Sequence, residues 1–255
     1  MIYYFSATGN SKYVAGRIAE ETGTKAVSAL EAAKNGVPDN ESDDGILGFV
    51  FPTYAWVIPT VFEDFLKGFE AQQGAGGRYV FVIATCGATS GCSVSLVRRI
   101  LKTHGISTDA SFDIRMPDTW TPIFDLSDKK RNDERLKSAD EEITAAAAKI
   151  KNREKGYFNR TKAPWQAAPV GRLIYAVMRR TGGFRLKENC TGCGRCASAC
   201  PTGVLRMNSG HPSWTEKKCA MCLRCLHTCP VNAIKYGNRT EKHGQYVHPR
   251  AGKLD

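Results

Sequence analysis

The sequence predicts an α/β protein: a parallel sheet of five strands covered by helices on both faces, followed by a small unit rich in cysteine. Three observations carry this. Apolar runs of strand length alternate five times with helix-length segments over roughly the first 150 residues, which is how a parallel sheet reads. Eight of the ten cysteines fall between positions 190 and 229. Charge divides along the same line: residues 1–150 carry 16 basic and 20 acidic side chains, 151–189 carry 10 and 2, and 190–255 carry 10 and 3. The net charge is +11, with 42% hydrophobic, 24% charged and 9% aromatic residues, which excludes collagen, low-complexity and disordered classes.

The elements follow in order. Residues 2–5 are a buried-strand run. Ser6-Ala7-Thr8-Gly9-Asn10-Ser11 is a turn that leads into a helix over 12–21, with Val14, Ala15, Ile18 and Ala19 at i, i+4 spacing and Gly23 as its stop. Residues 25–29 are a weak strand. Residues 30–44 read as a polar excursion, with Asn35-Gly36 and Pro38-Asp39 as turn signals. The run 45–51 is a strand buried on both faces, and 59–68 a helix with proline in its first turn. A loop at 74–77, a strand at 79–84, a helix at 93–104, a strand at 111–116 and a long helix at 132–155 complete the unit.

Ligands bind such sheets at the loops after the carboxyl ends of the strands. The chemistry is therefore expected at loops 6–10, 52–58 and 85–91. Segment 156–187 reads as a basic connector, with a helix over 170–180 that sets Leu173, Ile174, Val177 and Met178 against Arg172, Arg179 and Arg180. The expectation is that this helix docks on one of the domains; a membrane-surface or partner-docking role is the alternative.

The cysteines form an internal repeat. Cys190, Cys193, Cys196 and Cys200-Pro201 give C-x2-C-x2-C-x3-C-P, and Cys219, Cys222, Cys225 and Cys229-Pro230 give it again 29 residues later. Structural zinc uses paired C-x2-C arms, whereas a tight run of three thiolates can wrap one iron–sulfur cubane. Over about residues 186–237 the sequence resembles a bacterial-type ferredoxin with two [4Fe–4S] clusters. The resemblance implies a small α+β fold with short strands around 204–207 and 233–236. It also implies crossed ligation: Cys190, Cys193, Cys196 and Cys229 on one cluster, Cys219, Cys222, Cys225 and Cys200 on the other. His227, inside the second run, reads as a surface helix residue, and Trp214 and Tyr236 as packing.

The first loop reads as a phosphate site. Amides at a helix start, with the hydroxyls of Ser6, Thr8 and Ser11, suit a dianion, and Gly9 allows close approach. No G-x4-G-K-[ST] or strand-linked G-x-G-x-x-G is present, which disfavours an NTPase loop or a Rossmann dinucleotide site. In context the loop resembles the flavodoxin phosphate loop, and the resemblance covers about residues 1–150. It implies a flavodoxin-like doubly wound sheet and FMN. Ser6, Thr8, Gly9, Asn10 and Ser11 would take the phosphate. The ring would lie between Pro52-Thr53-Tyr54-Ala55-Trp56, which offers aromatic faces, and Thr85-Cys86-Gly87-Ala88, which offers backbone hydrogen bonds. The third loop lacks the acidic and aromatic residues common in flavodoxins, and Trp120 is the candidate to cover the ring's second face. Cys86 reads as a small packing residue, with a redox role as the alternative.

The whole chain resembles the flavodoxin–ferredoxin fusion proteins of anaerobes, including an aromatic–His–Pro tail at 244–249. The expected division is an FMN domain at 1–155, the connector at 156–185, the cluster domain at 186–240 and the tail at 241–255. The resemblance implies FMN and two [4Fe–4S] clusters working in electron transport between redox partner proteins, the flavin joining two-electron to one-electron steps. The alternative is an FMN-dependent oxidoreductase acting on a small molecule, with the clusters as its electron supply. The basic excess would offset anionic cofactors, and no DNA-binding motif points to nucleic acid. The opening lacks signal-peptide features, and the uncharged stretches 45–62 and 79–97 hold Pro or Gly and polar residues. A cytoplasmic protein without a transmembrane segment is therefore expected.

Overall fold

The computed structural model describes residues 1–36, 45–69 and 77–254; the Pro38-Asp39 turn and most of the 74–77 loop lie outside them. Ile2–Tyr4 (β1), Ala26–Ser28 (β2), Ile46–Pro52 (β3), Tyr79–Cys86 (β4), Ala110–Arg115 (β5) and Gly156–Tyr157 (β6) form one parallel sheet in the order β2-β1-β3-β4-β5-β6. The order 2-1-3-4-5 is that of the flavodoxin-like doubly wound sheet, with its switch point at β1/β3. The sixth strand corrects the count of five. Arg153 turns left-handed (φ 52°) after the long helix, and Gly156 and Tyr157 then pair with Ala110 and Ser111.

Period-2 alternation builds both layers of core. Tyr3, Phe5, Phe49, Phe51, Val80 and Val82 face one side, where Thr60–Lys67 (α3) and Ser93–Thr103 (α4) cover them with Phe62, Leu66, Val97 and Leu101. Ile2, Tyr4, Val50, Phe81, Ile83 and Phe112 face the other. Asn10–Thr22 (α1) and Lys129–Lys151 (α5) cover those with Val14, Ile18, Leu136 and Ile143. Helix α5 starts earlier than its periodicity predicts because Asp128 caps it, accepting from the Arg131 amide.

The polar excursion is also corrected. Ala29–Asn35 (α2) is helical, with Ala29 and Ala32 buried; six good helix formers, Ala29 to Lys34, outweigh the turn signals that follow.

Ala168–Met178 (α6) docks on the sheet unit through Ala168, Gly171 and Tyr175. Its approach is close: a β-carbon on Gly171 would lie 2.8 Å from the Ala55 carbonyl oxygen. The apolar stripe divides: Ile174 and Met178 turn toward the strand-end loops, and the rest faces solvent. Val170 and Leu173 are 66% and 68% exposed, and Val177 is exposed beside them. Among the described residues no helix is long and apolar enough to cross a membrane.

The cysteine-rich unit is α+β. Phe184–Leu186 (β7) pairs antiparallel with Ile234–Tyr236 (β10), and Leu205–Asn208 (β8) with His211–Trp214 (β9). Arg195–Ser198 (α7) and Arg224–His227 (α8) are short helices 29 residues apart. The repeat extends to the backbone: left-handed residues recur at Gly192 and Met221, at Gly194 and Leu223, and at Gly203 and Asn232. Trp214 and Tyr236 do pack, both against Phe184, the first stacked at 4.6 Å and the second edge-on at 4.9 Å.

Gly48 in β3 has no room for a side chain, since a β-carbon there would lie 2.3 Å from the Phe81 ring. Gly48→Ala is expected to destabilise the fold by about 1–3 kcal/mol through overpacking, measured by denaturant unfolding.

Candidate functional site

Three strand-end loops enclose a cavity of about 340 Å³, at the lower end of the roughly 300–1,000 Å³ typical of ligand pockets. The first loop contributes Ser6, Thr8, Asn10 and Ser11. Ser6 Oγ accepts from the Gly9 amide at 3.1 Å, and Ser11 Oγ pairs with Thr85 Oγ1 at 2.8 Å, tying the first loop to the third. Helix α1 has no side-chain cap and no acidic residue in its first turn, which leaves a positive helix end beside the hydroxyls. Gly9 stands apart from the cavity wall: at φ 97° its α-carbon faces the tail, where a β-carbon would lie 2.8 Å from Ala251 and 2.9 Å from His248.

Pro52, Thr53, Tyr54, Ala55 and Trp56 all line the cavity. Ala55 and Trp56 are both left-handed, at φ 47° and 65°, and Tyr54 and Val57 exchange two backbone hydrogen bonds around them, as in a tight two-residue turn. The Trp56 carbonyl accepts from the Cys92 amide, which holds the turn open toward the cavity. Thr85, Cys86, Gly87 and Ala88 line it from the third loop. Burial pushes the Cys86 thiol up to about 12, so it is neutral at ordinary pH and suits packing rather than nucleophilic chemistry. Trp120 reaches the cavity and also packs on Tyr236 of the cysteine-rich unit at 6.1 Å.

Several cavity residues were not singled out from the sequence. Asp118 lies two positions before Trp120, its Oδ1 accepting from the Trp120 amide. Its carboxyl occupies the space a Gly87 side chain would need, and burial raises its pKa. From α6 come Ile174, Tyr175 and Met178; from the second cysteine run come Met221, Cys222 and Leu223. The only signal for these last three was their place in the repeat.

The cysteines gather into two hollows. Cys190, Cys193, Cys196 and Cys229 line one; Cys200, Cys219, Cys222 and Cys225 line the other. These are the two crossed sets that the sequence resemblance implies. Donor chemistry suits thiolate-bound clusters: the Met221 amide donates to Cys219 Sγ and the Ala233 amide to Cys229 Sγ, each at 3.2 Å. Arg224 lines the second hollow. It is only 2% exposed, and its Nε has no hydrogen-bond partner. A buried guanidinium with an idle donor fits an anionic group in that hollow. The two hollows differ in depth. Burial pushes Cys222 up to about 12, whereas Cys193 is exposed and lowered, first by the Arg195 amide.

His227 is corrected. It is 4% exposed, not on the surface: Nε2 donates to the Thr119 carbonyl at 2.9 Å, and Nδ1 accepts from the Tyr246 amide at 3.1 Å. Isolated helix periodicity could not reveal a tail that returns from twenty residues later.

Residues 184–243 match the family described as a 4Fe-4S dicluster domain. With the sheet order above, this decides the architecture. The chain joins a flavodoxin-like doubly wound sheet to a 4Fe-4S dicluster domain. Among solved structures it is similar to a flavodoxin of Streptococcus pneumonia TIGR4, at 19% identity and TM-score 0.35 over 57% of this chain and 97% of that one. It is also similar to the Trp repressor binding protein of Bacillus subtilis, at 15% identity and TM-score 0.38 over 56% and 97%. No curated protein gives a significant match.

The C-terminal tail carries a pH-dependent element. Burial, aided by Arg250, lowers His248 from 6.5 to about 4, while Asp140 opposes the shift. Between those values the unfolded chain binds a proton that the folded chain does not. The contribution of His248 is therefore fully present above about pH 6.5, and stability falls as the pH drops toward 4, by about 1–3 kcal/mol in total. Unfolding of His248→Asn across that range is expected to lack this part of the slope seen in the wild type.

Proposed function

We propose that this fusion is an iron–sulfur flavoprotein that passes electrons between FMN and two [4Fe–4S] clusters, joining two-electron to one-electron redox partners. The observation that carries the reading is a shared wall: Met221, Cys222 and Leu223 line both the strand-end cavity and the second cysteine hollow. The flavin, when bound, would supply the two-electron chemistry.

In this reading the hydroxyls of Ser6, Thr8 and Ser11, with the Asn10 amide and the other first amides of α1, bind the FMN phosphate, and Gly9 supplies the turn. Tyr54, Trp56 and Trp120 bound the ring's space, and loop 85–88 meets its polar edge. Cys200, Cys219, Cys222 and Cys225 hold the cluster beside the flavin. Cys190, Cys193, Cys196 and Cys229 hold the outer cluster, where exposed Cys193 gives a partner protein its closest access. Asp118 keeps a raised pKa at the cavity wall and can hold a proton there. Arg224 balances the charge of the inner cluster.

Asp118 is the one observation that favours the small-molecule reading, because it gives the cavity an acid that the sequence had not revealed. Exposure of Cys193 at the outer hollow suits a protein that exchanges electrons with the clusters, which both readings require.

Anaerobic purification with flavin and iron analysis is expected to give about one FMN and about eight irons per chain, from one nucleotide cavity and two four-iron hollows. Thr8→Ala is expected to lower flavin retention and leave iron unchanged; loss of iron alone would contradict the division of labour between the two halves. Arg224→Gln is expected to move the midpoint of the inner cluster negative by on the order of 50–100 mV, because a charged donor is lost from a buried anion. Protein-film voltammetry measures it, with the outer cluster as the internal reference.

A further inference from the structure

The tail after β10 crosses from the cysteine-rich unit to the first strand-end loop, and every step is a named contact. Gln245 Nε2 donates to the carbonyls of Leu226 and Cys229, at 2.6 and 2.8 Å. The Tyr246 amide donates to His227 Nδ1 at 3.1 Å, which fixes the tail on α8. The Tyr246 hydroxyl then donates to Asn10 Oδ1 at 2.8 Å. Asn10 is thereby held at both ends, since its Nδ2 donates to the Pro117 carbonyl at 3.1 Å. The His248 amide donates to the Thr8 carbonyl at 2.8 Å, and the His248 ring stacks on Tyr13 of α1 at 4.1 Å. Arg250 closes the run on Asp140 of α5 at 2.7 Å. Tyr246 and His248 are buried along their length.

We propose that this segment is a strap that positions the phosphate-binding loop, with Tyr246 and His248 as positioning residues for a flavin phosphate. The proposal rests on the FMN reading above and adds what holds the loop in place. Loop 6–11 is rich in small hydroxyl residues, and its shape depends on a left-handed Gly9. Free, such a loop would lose conformational freedom each time it closed on a dianion, and that loss would weaken binding. The strap takes up the loss in advance, at folding. It grips the loop from the side away from the cavity: Thr8 by its carbonyl, Asn10 by its side chain, and Gly9 by packing against its bare α-carbon. The hydroxyls and α1 amides are left for the ligand. This also gives Gly9 a second reason to be glycine, because any side chain there would strike His248 and Ala251.

The strap touches only the part of the cavity that would take the phosphate, so its loss should be felt by FMN and not by riboflavin. The test compares the wild type with Tyr246→Phe and with a chain ending at Gly244, each cluster-loaded and stripped of flavin. Fluorescence quenching gives the affinity for FMN and for riboflavin, and iron is measured in parallel. Tyr246→Phe is expected to weaken FMN about three- to tenfold, the worth of one hydrogen bond, and the truncation by at least about tenfold, since it removes both loop contacts. Riboflavin affinity and iron content should be unchanged. Equal FMN affinity in all three proteins overturns the strap while leaving the FMN reading intact. Weakening of FMN and riboflavin alike also overturns it, because that pattern marks general damage. A wild-type chain that binds neither flavin overturns the FMN reading, and the strap with it.

Discussion

The structure depends on one seam, where the second cysteine run is pressed against the strand-end cavity. Tyr175 of α6 donates its hydroxyl to the Ala220 carbonyl at 2.6 Å, and Arg179 donates to the Cys219 carbonyl at 2.7 Å. Those two bonds fix the residues that lead into the wall, Met221 to Leu223. The wall is strained. Its left-handed positions at 221 and 223 correspond to Gly192 and Gly194 in the first run, where glycine adopts the same backbone without steric cost. Met and Leu here carry a penalty of about 1–3 kcal/mol each for non-glycine residues in that region. They supply what glycine cannot: apolar side chains that line both the cavity and the hollow. The first run faces solvent, has no wall to build, and keeps its glycines.

Much of this was legible in the sequence, for physical reasons. A buried parallel sheet needs continuous apolar strands, so the strand runs announce themselves. A cubane needs three thiolates in close succession, so the spacing is specific. The Ser6-to-Ser11 loop stood out because few residue types suit a tight turn that could also take an anion, and the loop does line the strand-end cavity. The rest depends on long-range packing. Helix α2 was hidden by the turn signals after it. His227 looked like a surface residue because its partners, Thr119 and Tyr246, come from distant segments. Asp118 lay in plain view, but only the fold brings it against Gly87. Helix α6 docks as its amphipathic pattern suggests, but only Ile174 and Met178 of the stripe reach the cavity, because the helix also packs through its small residues and Tyr175.

Electrostatics ties the halves together. The sheet unit is mildly acidic and the remainder carries the positive excess. Thiolate-bound clusters are anions, and each cysteine hollow has a cation in its lining, Arg195 in one and Arg224 in the other. Arg224 is the clearest case, since burying a guanidinium with an unused donor would be costly unless a negative charge stood opposite. The tail does for geometry what Arg224 does for charge, linking α8 to the loop at the far end of the same cavity.

The claim that the seam is a path for electrons is tested most directly by following their redistribution within one chain. Anaerobic protein would be given less reductant than it can hold, and the flavin and cluster absorbances followed in time. The account predicts relaxation at a single first-order rate that does not change as the protein is diluted, because donor and acceptor share a wall. A rate that falls in proportion to protein concentration would mean that electrons pass between molecules, and it would contradict the account.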